Sequence, residues 1–252
     1  MALYYYQKKE KPTWWEVWQY QLKTRWQNPL IKRGGSAFVL GLGVFLMGAA
    51  LYPMISYQIR YAPRFTPIYS PVPQDANWHS PPLVSAQDNN KDYTLISSWF
   101  VEKPEKQKEK SNQVEYYTLD IPALKIKNAI VHVGGEDLKK ELVQYADTAP
   151  PGEDFGRPVI FGHSTTYMDP NNYLAIFTDL YKLKTTPSPD KIIIHYDGIR
   201  YVYQVVNIFE VIPTDLSILS QYYEGKELFL VTCTPPGTYL RRLVVKAKLI
   251  EE

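Results

Sequence analysis

Cys233 is the only cysteine among the 252 residues, and it lies in the run Leu228-Phe229-Leu230-Val231-Thr232-Cys233-Thr234, which stops at Pro235-Pro236-Gly237. An apolar, β-prone stretch ending in a Pro-Pro-Gly turn places a thiol at the end of a strand, where a groove could reach it. Arg242 follows nine residues later, and His163 lies seventy residues earlier in Val159-Ile160-Phe161-Gly162-His163-Ser164. A thiol, an imidazole and a guanidinium near strand ends are the parts of cysteine acyl transfer: a nucleophile, a proton carrier and a fixed positive charge. The competing reading is that the free cysteine only packs, as small apolar side chains do.

An apolar segment bears on that choice. No charged residue occurs between Arg33 and Arg60, and Ser36 to Ile55 is almost wholly apolar. Helical residues rise about 1.5 Å each, so a stretch of this length spans a hydrocarbon core of roughly 30 Å. A cleavable signal peptide would carry a shorter apolar region nearer the N-terminus, followed by a small-residue cleavage site, and no clear site follows here. Residues 36–57 are therefore expected to be a retained signal anchor in the lipid bilayer, with 1–35 as a cytoplasmic tail.

Flanking charge sets the expected orientation. Lys8, Lys9, Lys11, Lys23, Arg25, Lys32 and Arg33 precede the segment, against only Glu10 and Glu16. The positive-inside rule places this end in the cytoplasm and the large C-terminal part outside, a single-pass type II arrangement. The formal net charge of +2 thus averages a basic tail and a mildly acidic exterior. Nothing in that balance points to nucleic acid. Outside the cell a lone cysteine can form no internal disulfide and is exposed to oxidation, so its retention favours a chemical use. Trp14, Trp15, Trp18 and Trp26, mixed with Tyr and basic side chains, suit either an interfacial helix or a plain tether.

Beyond the anchor, residues 58–113 read as an extracytoplasmic linker. Pro63, Pro67, Pro71, Pro73, Pro81, Pro82 and Pro104 keep it extended, and the charged run Glu102 to Lys110 is solvated. One apolar island, Tyr93 to Val101, is expected to dock on the domain as a short helix. From Glu115 the texture changes to strands: Tyr116 to Ile121, Ala129 to Val133, Pro158 to Phe161, Lys191 to His195, Ile199 to Ile212, Leu228 to Cys233 and Arg242 to Ile250. Helical patterns are brief, near Asp137 to Tyr145 and Tyr173 to Lys184. Residues 114–252 are thus expected to be one mainly β domain, a barrel or sandwich.

In the last strand Leu243, Val245, Ala247 and Leu249 share one parity, and Arg242, Val244, Lys246 and Lys248 share the other. Arg242 therefore falls on the face away from the core, and Arg241 on the core parity at the strand's start. The remaining histidines have weaker claims. His132 and His195 lie in strands and His79 in the linker, without the close carboxylate or cysteine companions of a metal site. No acidic loop supports calcium, and no cofactor is implied.

The ordered pieces Leu119-Asp120-Ile121-Pro122, Pro151-Gly152-Glu153, Phe161-Gly162-His163-Ser164 and Leu230-Val231-Thr232-Cys233, ending in Arg242-Leu243, resemble the sortase family over about residues 115–252. That resemblance implies an eight-stranded β-barrel with short helices and a membrane-anchored cysteine transpeptidase. It implies that Cys233 attacks the carbonyl of a Thr-Gly type bond in the sorting signal of a surface protein. His163 would be the acid and base, Arg242 the donor to the carbonyl or oxyanion, and Thr232 a positioning residue beside the thiol. The acceptor would be an amine, from a cell-wall precursor or a pilin lysine. A single N-terminal anchor without a C-terminal membrane segment is more similar to the housekeeping type than to the pilus-building type. Asp75-Ala76-Asn77-Trp78 is not the Asp-Pro-aromatic lid of that second type. The rival readings are another cell-wall thiol peptidase, whose usual order places Cys before His, and a non-catalytic surface-binding domain with a degenerate site.

Overall fold

A computed structural model describes residues 11–27, 29–65, 92, 94–99, 114–165, 172–221 and 226–251. The chain divides into two compact units, 1–52 and 53–252. Most of the expected linker, with His79 and Asp75-Ala76-Asn77-Trp78, lies outside the described residues.

The first unit is helical. Helix α1 covers Trp14–Gln27, and α2 (Pro29–Arg60) runs from this unit into the second. Phe38, Val39, Leu40, Val44, Phe45, Leu46 and Met47 of α2 are all exposed among the described residues. Among the described residues this is the one helix long and apolar enough to cross a membrane. Trp14, Trp15 and Trp18 are exposed on α1, the last two with stacked rings 5.3 Å apart.

In the second unit eight strands close a barrel: β1 (Tyr116–Ile121), β2 (Ile126–Val133), β3 (Leu142–Gln144), β4 (Val159–Phe161), β5 (Lys191–Tyr196), β6 (Ile199–Val211), β7 (Glu227–Thr234) and β8 (Arg241–Glu251). Their order around the barrel is β1-β2-β3-β4-β7-β8-β6-β5. Neighbours pair antiparallel except β2 with β3 and β4 with β7, which are parallel. Seven strands coincide with the apolar, β-branched runs of the sequence. The eighth, β3, lies where a brief helical pattern suggested a helix at 137–145. Leu142 and Val143 are fully buried there, between β2 and β4. Burying two such side chains contributes about 2 kcal/mol each, against helix propensity differences below about 0.7 kcal/mol per residue, so long-range pairing prevails. Residues 173–184 likewise form turns and one 3-10 turn, Leu180–Lys182, with Phe177 and Leu180 buried in the core.

Alternation along the strands builds two apolar clusters. Leu228 and Leu230 of β7 with Leu243, Val245 and Ala247 of β8 fill the barrel interior. Phe229, Val231 and Cys233 of β7 with Val244 of β8 join a second cluster on the outer face. The island at 94–99 covers that face. Its backbone joins the turn before β3, through Ile96 N–H to Glu136 O (3.0 Å) and Leu138 N–H to Thr94 O (2.9 Å). The 3-10 turn Ile96–Ser98 and the following residue bury Ile96 and Trp99 in the second cluster.

The barrel also receives the end of α2. Tyr57 is 1 % exposed, packed with Phe65 among interior residues, and its ring meets Tyr181 edge-on at 5.1 Å. The chain from Gln58 is therefore not yet extended: it completes α2 and then forms a 3-10 turn, Ala62–Arg64. Pro63 is tolerated near the start of that turn because the first amides of a helical turn lack partners in any case.

Candidate active site

Cys233 is the penultimate residue of β7, and the turn after it decides what it faces. Thr238 N–H donates to Pro235 O at 2.9 Å, and Gly237 has φ +77°. A type II turn, which accepts proline in its first central position, needs a residue at positive φ in the second, and glycine adopts that without strain. The chain returns as β8 in a register that pairs Cys233 with Arg242 and Thr234 with Arg241. Parity then separates the two arginines. Arg242 shares the outer face with Cys233, and its Nη1 donates to Sγ at 3.5 Å and to the carbonyls of Tyr239 and Arg241 at 3.3 and 3.5 Å. Arg241 turns the other way and pairs with Glu210 at 3.2 Å.

The face of Arg242 is not open to solvent, as a position away from the core would suggest. Its side chain is 3 % exposed, with the guanidinium 4.6 Å from the centre of the Trp99 ring. The second cluster explains this, because a sheet face that carries Val231, Val244 and Phe229 has to be covered as well as the interior.

His163 is placed by β4. The parallel register pairs Phe161 with Val231, so two residues further on His163 and Cys233 extend the same two strands side by side. Gly162 N–H donates to Val231 O at 3.0 Å, Thr232 Oγ1 donates to Gly162 O at 2.9 Å, and Phe177 N–H donates to His163 O at 3.2 Å. Gly162 has to be glycine, since a Cβ there would meet Phe177 at 2.3 Å and Leu142 at 2.7 Å. Thr232 thus lies on the inner face of β7, opposite the thiol, and ties β7 to the residue before His163. His163 is 5 % exposed, 6.5 Å from the Tyr239 ring in stacked orientation, and its Nδ1 has no hydrogen-bond partner among the described residues.

Burial dominates the electrostatics. It pushes the Cys233 thiol up to about 11, against the opposing pull of Arg242. It also lowers His163 below the ordinary imidazole value, with Asp92 acting to raise it and Lys139 to lower it further. Both effects favour the uncharged forms of thiol and imidazole at neutral pH.

Two other sequence candidates lie elsewhere. His195 of β5 pairs with Asp120 at 3.5 Å, and His132 of β2 contacts Glu141 at 2.6 Å and stacks on Tyr116. Neither strand neighbours β7. No group of His, Cys, Asp and Glu among the described residues is arranged to hold a metal ion. Trp99 and Tyr239 were not singled out from the sequence. The only signal for Trp99 was its place in an apolar island, and Tyr239 carried none beyond its position after the turn.

A family model described as the sortase domain matches residues 119–250. The chain belongs to the sortase family, cell-surface cysteine transpeptidases whose protein substrates carry sorting signals. Among solved structures it is similar to sortase C1 of Streptococcus agalactiae in complex with MTSET, at 24% identity and TM-score 0.48, over 56% of this chain and 72% of that one. It is also similar to a lid mutant of sortase A from Corynebacterium diphtheriae, at 25% identity and TM-score 0.48, over 57% and 74% of the two chains. The sortase D5 transpeptidase of Clostridium perfringens matches at 28% identity and TM-score 0.46, over 54% and 79%. No curated protein matches the chain.

Proposed function

We propose that this protein cleaves a surface-protein sorting signal at a Thr-Gly type bond through a thioester on Cys233 and transfers the acyl part to an amine. The observation that carries the reading is the Arg242–Cys233 contact, 3.5 Å across adjacent strands, with His163 at the end of the next strand. Cys233 Sγ, as thiolate, adds to the scissile carbonyl carbon. Arg242, with several fixed donors and a permanent charge, stabilises the oxyanion. The C–N bond then breaks, and His163 gives its proton to the departing amine. An incoming amine from a cell-wall precursor or a pilin lysine adds to the thioester carbonyl, the C–S bond breaks, and His163 takes the proton. Thr232 acts as a positioning residue, holding Gly162 and hence the approach of His163. The thiol is 1 % exposed, so the cover formed by residues 94–99 has to yield before a peptide can reach it.

The test is to incubate the full-length protein with sorting-signal peptides and hydroxylamine. A peptide hydroxamate, and a thioester adduct on Cys233 by mass spectrometry, are expected; turnover that leaves no adduct and is insensitive to hydroxylamine would refute the reading.

The apolar helix and its basic N-terminal flank support a type II anchor, with the catalytic domain outside. Protease added to intact cells should remove the domain and spare the tail; a protected domain would reverse the orientation.

A further inference from the structure

Glu210 occupies an inward position near the end of β6. Its neighbours Phe209 and Val211 belong to the outer cluster, and Ile208 to the barrel interior. A carboxylate 8 % exposed has to be paired or neutralised. Two groups meet it, one on each oxygen. Tyr57 Oη donates to Oε1 at 2.5 Å, and Arg241 Nη1 donates to Oε2 at 3.2 Å.

These partners join two parts of the protein that the reaction would otherwise keep separate. Tyr57 lies in the last turns of the apolar helix α2, and its ring is fixed against Tyr181. Arg241 opens β8 immediately before the guanidinium that contacts the thiol. The backbone completes the link, because Arg242 Nη1 donates to the Arg241 carbonyl as well as to Sγ. A continuous set of contacts therefore runs from Tyr57 through Glu210 and Arg241 to Arg242 and Cys233.

We propose that Tyr57 and Glu210 are positioning residues for Arg242, so that the end of the membrane helix is a working part of the active site. The inference rests on the reading of Cys233, His163 and Arg242 as the catalytic group. Its physical basis is that hydrogen bonds to an ionised, buried carboxylate are strong and directional. Without the tyrosine hydroxyl, one Glu210 oxygen loses its partner and draws on Arg241 instead, which shifts the first residue of β8. Misplacing a catalytic group by about 1 Å can cost up to roughly a hundredfold in rate.

The experiment uses the full-length chain in lipid nanodiscs, as wild type, Tyr57→Phe and Glu210→Gln. Peptide cleavage, melting temperature and the pH dependence of Cys233 alkylation by iodoacetamide are measured. Tyr57→Phe keeps the buried ring and is expected to lower kcat about tenfold, with KM changed less than about twofold, as befits a positioning defect. It should also move the alkylation midpoint upward, because a displaced guanidinium lowers the thiol less. Glu210→Gln, of the same shape, should lower kcat in the same way and serves if Tyr57→Phe does not fold. Folded variants with wild-type kcat and an unmoved alkylation midpoint would overturn the proposal, leaving Tyr57 a purely structural contact. Failure of the wild type to cleave any sorting peptide would count against the proposed function instead. The alkylation midpoint still tests the coupling in that case.

Discussion

Cys233 and Arg242 face each other across the β7–β8 ladder, and one guanidinium nitrogen lies 3.5 Å from the sulfur. That nitrogen also donates to two backbone carbonyls, and the central carbon of the guanidinium lies over the Trp99 ring. The guanidinium is thus held in place by the protein itself, and in the proposed mechanism such a preset donor would act on developing charge without reorganisation.

Cys233→Ala and His163→Ala should each nearly abolish cleavage of a sorting peptide while melting temperatures remain close to wild type. The double variant should be no worse than either single one, because nucleophile and proton carrier act as a unit. Steady-state rates for the three variants decide this. Substantial turnover by Cys233→Ala would end the thioester proposal.

The two arginines should behave differently. Arg242→Lys keeps the charge but loses the planar fork, and the loss of an oxyanion donor costs roughly 3 kcal/mol, or about a hundredfold or more in rate. Arg241→Ala should be milder, since that side chain contacts Glu210 rather than the thiol. Comparing kcat/KM and melting temperature for both variants gives the answer. A dead, folded Arg241→Ala beside an active Arg242→Ala would contradict the assignment.

The pH profile follows from burial. With the thiol lifted to about 11 and His163 lowered from 6.5, the reactive thiolate–imidazolium pair is a minor form at neutral pH. The kcat/KM profile should be bell-shaped. Its acid limb should follow His163 below the ordinary imidazole value, and its alkaline limb should follow the thiol toward about 11. Stability carries the same signs. The buried neutral thiol contributes stability that is fully present below its ordinary value of 9.0 and is lost as pH rises through about 11. The buried neutral imidazole contributes stability that is lost as pH falls below 6.5 through its lowered value. Melting curves between pH 5 and 11 should show both losses, and Cys233→Ala should flatten the alkaline one.

Trp99→Ala should loosen the cover. The ring is 2 % exposed, packed on Phe161 and under the Arg242 guanidinium. Removing a buried tryptophan costs about 3 kcal/mol or more, so the melting temperature should fall. Cys233, now 1 % exposed, should be alkylated faster at fixed pH in the protein that stays folded. An unchanged alkylation rate would mean that residues 94–99 do not limit access to the thiol.

Much of this arrangement is written in local pattern. The uncharged stretch from Arg33 to Arg60 gives α2, and seven strands follow runs of β-branched and aromatic residues. Period-two alternation along β8, apolar at Leu243, Val245 and Ala247, by itself separates Arg242 from Arg241. The Pro-Pro-Gly turn marked where the thiol-bearing strand ends. These features are legible because each depends on residues adjacent in the chain and on a fixed helical or strand period.

The tertiary structure decided the rest. Strand β3 exists because Leu142 and Val143 are buried between β2 and β4, partners that three residues of sequence cannot announce. The second cluster, which encloses Cys233 and Arg242, is closed by Ile96 and Trp99 from before the barrel. The Tyr57–Glu210 bond joins residues 153 positions apart. Contacts of that separation form only when the barrel closes and brings its ends together. The burial that sets the charge states of Cys233 and His163 is for the same reason a property of the fold and not of the local sequence.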